Sequence, residues 1–272
     1  MRNRSKILIS LVILVIIAAS LLSFWWAGQK QRLYEDSFQS SYSYSISIVT
    51  DRTLNNVTFY MPIPSIENTS SVGMHIVHQF IEDDSSWEYG LVETEHGTML
   101  SMKKDIIIPV FYSGPMERTI PDSDPEQVEI IRTTSNEYSE KTPYPGTIDL
   151  SSMVTSNQSI DTMDPIGHEM VLMPKYDLLQ NLTADESRPW MAGQEHLKVY
   201  DYNSRIYAQY DTSSDAKVSI SVTMDTVNEW WIGGWRSNSY TDEMTMQLSG
   251  PQNYWVSPKG EIVTGIGIYM EG

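Results

Sequence analysis

The chain has 272 residues, 40% of them hydrophobic, which is enough to bury a sizeable core and argues against general disorder. Its formal net charge is −17, unevenly spread: Arg2, Arg4, Lys6 and Lys30 are four of the 18 basic residues, so residues 31–272 carry 14 against 35 acids, a net −21. Such a surface repels phosphate backbones, which excludes nucleic-acid binding, and the lack of cysteine excludes disulfides, thiol catalysis, zinc-thiolate sites and iron–sulfur clusters.

Residues 1–6 bear three basic side chains and precede an uncharged, Ile/Leu/Val-rich run, residues 7–26. A helix of that length rises about 30 Å, the thickness of a bilayer's hydrocarbon core. The basic end stays in the cytoplasm, while Trp25 and Trp26 suit the outer aromatic belt. The expectation is a single-pass anchor in the cell membrane, with the remaining chain outside. A cleaved signal peptide is the competing reading, but the run exceeds the usual ~7–15-residue apolar region and no clear cleavage motif follows.

Residues 27–39 are polar and read as a stalk. Then the period becomes two. In "SYSYSISIVT" Tyr42, Tyr44, Ile46 and Ile48 alternate with serines, and in "NVTFYMPIP" Val57, Phe59, Met61 and Ile63 continue the pattern after "DRTLNN". Together these predict a hairpin. A second hairpin is predicted from Trp87–Thr94 and Thr98–Met102 around Glu95-His96-Gly97. Further strands are expected at Asp105–Tyr112, Val128–Thr133, Leu197–Tyr202 and Arg205–Asp211, the last two joined by a turn at Asn203-Ser204.

Eight of the 13 prolines fall between Pro115 and Pro189, so residues 115–189 should form loops and short edge strands. A weak repeat relates Ser45–Asn56 to Ser219–Glu229. Residues 40–272 are therefore expected to form an all-β, mostly antiparallel, β-sandwich-like ectodomain, as one unit or as two around the Pro-rich middle.

Residues 216–250 allow a register to be worked out. Val218, Ile220 and Val222 share a face, as do Met244, Met246 and Leu248. A two-residue turn at Gly233-Gly234 would set these faces on opposite sides. A three-residue loop, Ile232-Gly233-Gly234, pairs Trp231 with Trp235 and aligns the apolar faces. Trp230 then points to the core, and Trp231 and Trp235 to the polar face, unless a bulge exchanges them. Facing tryptophans can pin a hairpin tip or, if exposed, offer flat surfaces to a sugar ring or partner side chain.

His75 and His78 are three apart, which on an extended segment points them to opposite faces, so no metal site is assigned. Asp122, Asp124 and Glu126 alternate as calcium ligands do, without the turn glycine or distal Glu of a calcium loop. The motifs G-x-S-x-G and H-E-x-x-H are absent, and neither a catalytic residue nor a cofactor is nominated. Sequons at Asn56, Asn68, Asn157 and Asn181 are candidates for N-glycosylation.

Two segments, "VTFYMPIP" (Val57–Pro64) and "VETEHGTMLSM" (Val92–Met102), resemble parts of uncharacterised membrane-anchored envelope proteins of methanogenic archaea. That resemblance implies an archaeal cell surface, where N-glycosylation and an acidic exterior are at home, and it assigns no activity or functional residue. The expected role is a non-enzymatic surface protein, structural, adhesive or interacting, that meets the bilayer through residues 7–26 and other surface proteins or glycans outside. The alternatives are a carbohydrate- or solute-binding module using Trp231 and Trp235, and an extracellular hydrolase, which would need ionisable groups clustered in one pocket.

Overall fold

A computed structural model describes residues 2–66, 74–75, 78–79, 86–114, 116–119, 128–131, 133–181 and 196–269. The N-terminal segment is one helix, α1 (Arg2–Ser37), long and apolar enough to cross a membrane by length and composition. The polar residues expected as a stalk continue this helix, because Gln, Lys, Arg, Leu and Glu are all good helix formers and no proline interrupts them. Gln31 Nε2 donates to Glu35 Oε1 at 2.7 Å one turn on, and the Ser37 hydroxyl closes the end on the Leu33 carbonyl at 2.6 Å.

After one residue the chain enters a seven-stranded sheet. In spatial order it holds β11 (Thr147–Ser156), β1 (Gln39–Thr50), β16 (Lys217–Trp231), β17 (Trp235–Ser249), β19 (Lys259–Gly267), β14 (Lys198–Asn203) and β13 (Tyr176–Asn181). A five-stranded sheet holds β18 (Gln252–Val256), β15 (Ile206–Asp211), β2 (Leu54–Met61), β5 (Gly97–Ile107) and β4 (Glu88–Thr94). Smaller ladders pair β12 (Val171–Met173) with β3 (Ile63–Ser65), β6 (Phe111–Tyr112) with β9 (Thr134–Ser135) and β10 (Tyr144–Pro145), and β7 (Met116–Thr119) with β8 (Val128–Ile131). All these ladders are antiparallel.

Alternation fills the space between the two large sheets. Tyr44, Ile46, Ile48, Ile220, Val222 and Met244 from one sheet, and Leu54, Phe59, Met61, Met102 and Ala208 from the other, are buried in a single apolar cluster. Burying each larger side chain contributes roughly 1.5–3 kcal/mol. The Tyr44 hydroxyl, wholly buried, donates to the Pro62 carbonyl at 2.8 Å.

Two expected hairpins are corners instead. Strands β1 and β2 lie in different sheets, and the Asp51–Thr53 connection crosses between them, pinned where the Asp51 carboxylate accepts from the Lys217 amide at 2.7 Å. Strands β14 and β15 part at Ser204, whose amide donates to the Pro258 carbonyl at 2.9 Å. In a sandwich a corner and a hairpin both keep the apolar set inward, so period two cannot separate them. The β4–β5 hairpin forms with a two-residue loop, Glu95-His96, and Gly97 opens β5. The strand expected over Asp105–Tyr112 divides at Pro109 into β5 and β6, since proline has no amide for the ladder.

The Pro-rich middle supplies β11 and β13, the two edges of the seven-stranded sheet. Asp122, Asp124 and Glu126 lie outside the described residues. The β16–β17 ladder follows the derived register without a break, with Val218 opposite Leu248, Ile220 opposite Met246 and Trp231 opposite Trp235.

Candidate functional site

The tryptophan hairpin ends beside the helix. Trp230 points inward and is 3% exposed, while Trp235 is 71% exposed and Trp231 half-buried. The Tyr34 ring of α1 meets Trp230 edge-on at 6.0 Å, and the Trp231 amide donates to the Ser37 hydroxyl at 2.8 Å. The loop closes where the Ile232 amide donates to the Gly234 carbonyl at 3.0 Å, with Gly233 at φ +66°, a conformation glycine adopts without steric cost. Trp231 and Trp235 thus face each other as derived, with the Trp231 backbone bonded to the helix end and the Trp235 ring the more open of the two.

The other nominated positions scatter. Asn56 and Asn181 are exposed, and their amides donate to Asp211 Oδ2 at 3.0 Å and Asp201 Oδ2 at 3.2 Å. Asn157 is exposed in the bend after β11, and Asn68 lies outside the described residues. His75 falls on a helical pair of residues, not the extended segment expected, as does His78; both are exposed. Among the described residues no three His, Asp or Glu side chains cluster as metal ligands would.

A different surface brings side chains together. Tyr60, Tyr207 and Trp255 sit on neighbouring strands β2, β15 and β18, each directly opposite the next in the ladder. Phe59, Met61, Ile206 and Ala208 on either side of them face the core, so the three rings face outward. Tyr60 and Tyr207 stack at 5.0 Å, and Trp255 stands 5.4 Å from Tyr207. His96, from the β4–β5 loop, packs edge-on to Trp255 at 4.6 Å and shares a 3.0 Å hydrogen bond with the Tyr176 hydroxyl, over whose ring Arg205 lies at 5.2 Å.

This aromatic row runs into a polar groove. The Tyr207 hydroxyl lies 2.8 Å from Asn253 Oδ1 and 3.1 Å from Gln209 Oε1, and Gln209 in turn lines a groove of about 440 Å³ with Asn56, Thr58, Lys103 and Asp105. Rings offer flat apolar faces, and the amides, carboxylate and ammonium offer donors and acceptors beside them. That combination suits a ligand with apolar faces and hydroxyl edges. The outward direction of Tyr60 follows from its alternation with Phe59 and Met61; the meeting of three strands distant in sequence has no local signal.

Inside the sandwich is a polar cluster that the sequence reading missed. Asp242 on β17 is fully buried, and the Lys175 ammonium lies 2.9 Å from its Oδ1 and 2.7 Å from its Oδ2. The Tyr202 hydroxyl donates to Oδ1 at 2.6 Å and the Leu172 amide to Oδ2 at 2.8 Å. Lys175 Nζ also stands 3.4 Å from the centre of the Tyr202 ring. Burial lowers the Lys175 pKa to about 8, against the opposing pull of Asp242, and burial together with that carboxylate pushes the Tyr202 hydroxyl up, so it stays a donor. Tyr202 reaches this place across Gly260, where any β-carbon would collide with its ring. A signal did exist: Asp242 has the parity of Met244, Met246 and Leu248, so an acid on the core face demanded a buried partner.

No family model, curated protein or solved structure matches the chain.

Proposed function

We propose that this is a single-pass cell-surface protein, anchored by residues 7–26 with its amino terminus inside, whose sandwich binds glycan chains through the outer face of the five-stranded sheet. The role is adhesive and non-enzymatic. The observation that carries the reading is the row Tyr60, Tyr207, Trp255 continuing into the polar groove at Gln209. Sugar rings present patches of C–H that stack on aromatic faces, and their hydroxyls take hydrogen bonds from amides and charged groups at the fringe. Relative to the tryptophan pair nominated from sequence, the proposed platform moves from the hairpin tip to this face, because three rings there adjoin a polar groove.

The test is calorimetric titration of the full chain in detergent with a panel of neutral and acidic oligosaccharides. Trp255→Ala and Tyr207→Ala are each expected to weaken binding about tenfold, the equivalent of ~1.4 kcal/mol of lost ring contact. Trp235→Ala should leave affinity unchanged. Oligosaccharide binding that survives both ring deletions refutes the assignment to this face. Failure of the whole panel beside capture of purified envelope proteins favours a purely protein-binding, structural role.

A further inference from the structure

Lys175 and Asp242 are separated by 67 residues in sequence and brought together in the core, where two opposite charges are costly to keep. An amine within 2.9 Å of both carboxylate oxygens must also lie within about 3.2 Å of the carbon between them, so the atoms to be joined are already in contact and a small rise of the amine out of the carboxylate plane aligns them for attack. Tyr202 and the Leu172 amide hold one oxygen each, so the carboxyl group cannot turn away.

We propose that Lys175 and Asp242 condense into an intramolecular isopeptide bond between Nζ and Cγ, releasing one water. Transfer of a proton from the ammonium to Oδ1 within the pair gives an amine and a carboxylic acid, and the low polarity of the site lessens the cost of leaving the ion-paired form. The lowered pKa of Lys175 makes this transfer accessible. The amine lone pair adds to Cγ, and the negative charge that develops on Oδ2 is met by the Leu172 amide. The Tyr202 hydroxyl gives its proton to Oδ1 and recovers one from the nitrogen. Oδ1 then leaves as water, so one C–N bond has formed and one C–O bond has broken, with no oxidant, reductant or nucleotide consumed.

The product fastens the β12–β13 connection to β17. Strand β13 is an edge strand with every residue exposed, and its backbone ladder runs to β14. A chain without cysteine gains a staple there by lysine chemistry.

The experiment is peptide mapping by mass spectrometry of the full chain purified in detergent, with circular dichroism to establish folding. The expected result is loss of tryptic cleavage after Lys175 and a branched peptide carrying Lys175 and Asp242, lighter than the sum of its parts by one water, about 18 Da. Lys175→Arg keeps the charge without the nucleophile and should give no branched peptide. Tyr202→Phe, folded, should form the bond at least about 100-fold more slowly. Folded wild type with a cleavable Lys175 and an unmodified Asp242 overturns the proposal, as does a lost water that maps to any other pair of residues.

Discussion

Replacing Trp230 by alanine tests whether the derived register also describes the energetics of the hairpin tip. A tryptophan that is 3% exposed would cost ~3–5 kcal/mol when truncated in a closed core. Two features reduce this. One wall of the site is Tyr34 of the helix, a neighbour that can close into the space. The indole Nε1 also has no hydrogen-bond partner among the described residues, so its removal relieves a desolvation penalty of ~1–3 kcal/mol. The expected net loss is about 2 kcal/mol, or a fall in Tm of about 4–8 °C for a domain of this size. Trp230→Phe, which keeps a ring and deletes the orphaned donor, should lie within about 1 kcal/mol of wild type. Trp235→Ala removes a side chain that is 71% exposed and should cost less than about 1 kcal/mol through its cross-strand partner. The assay is guanidinium unfolding of the full chain in detergent, followed by near-ultraviolet circular dichroism. Equal losses for Trp230→Ala and Trp235→Ala would refute the assignment of inward and outward rings.

Gly260→Ala would set a β-carbon against Cζ and Oη of Tyr202 and expel the ring, removing a hydrogen bond to a buried carboxylate. The expected loss is about 3–5 kcal/mol by the same unfolding assay, and a neutral result would mean that Tyr202 does not occupy that space. While Tyr202→Phe is still unreacted, the Lys175 amine keeps the burial and the Asp242 partner that set its pKa at about 8 in the wild-type site, against an ordinary 10.5. Above pH 8 the unfolded state then holds a proton the folded state lacks, so stability rises with pH, by about 1–2 kcal/mol between pH 8 and about 9.5. Wild type, with the nitrogen in an amide, should lack this rise, and identical pH slopes would count against the bond.

The parts of the fold that could be read from sequence are those fixed by local alternation. Ser219, Ser221 and Thr223 opposite Gln247, Thr245 and Glu243 left only one register in which the apolar faces of β16 and β17 agree, and that register is observed. The choice of sheet was not legible at Asp51–Thr53 or at Ser204, because a strand presents the same inward face whether it turns back or crosses to the opposing sheet. Tyr60, Tyr207 and Trp255 were individually readable as outward-facing, yet their assembly depends on β2 pairing with a strand about 150 residues later. Asp242 was visible as an acid on an apolar face, whereas Lys175 in "LMPKYD" sits in no periodic element and gives no hint of its partner.

The route by which the helix enters the sandwich bears on an adhesive role. Helix α1 passes directly into β1, which lies between β11 and β16 and not at a sheet edge. A pull on the helix therefore loads β1 along its length, against ladders that run from Ser40–Ser156 to Val49–Thr147 on one side and from Gln39–Glu229 to Thr50–Val218 on the other. Antiparallel hydrogen bonds lie perpendicular to the strands, so this direction shears many of them together and does not open them one at a time. The far end of β1 continues through Asp51 into β2, the strand that carries Tyr60. Force applied at the aromatic row reaches α1 through β2, the middle strand of the five-stranded sheet, and β1, the second strand from the edge of the other. The weakly held edge at β13 lies off this path, and the Lys175–Asp242 bond fastens that edge to β17, next to β16 in the loaded region.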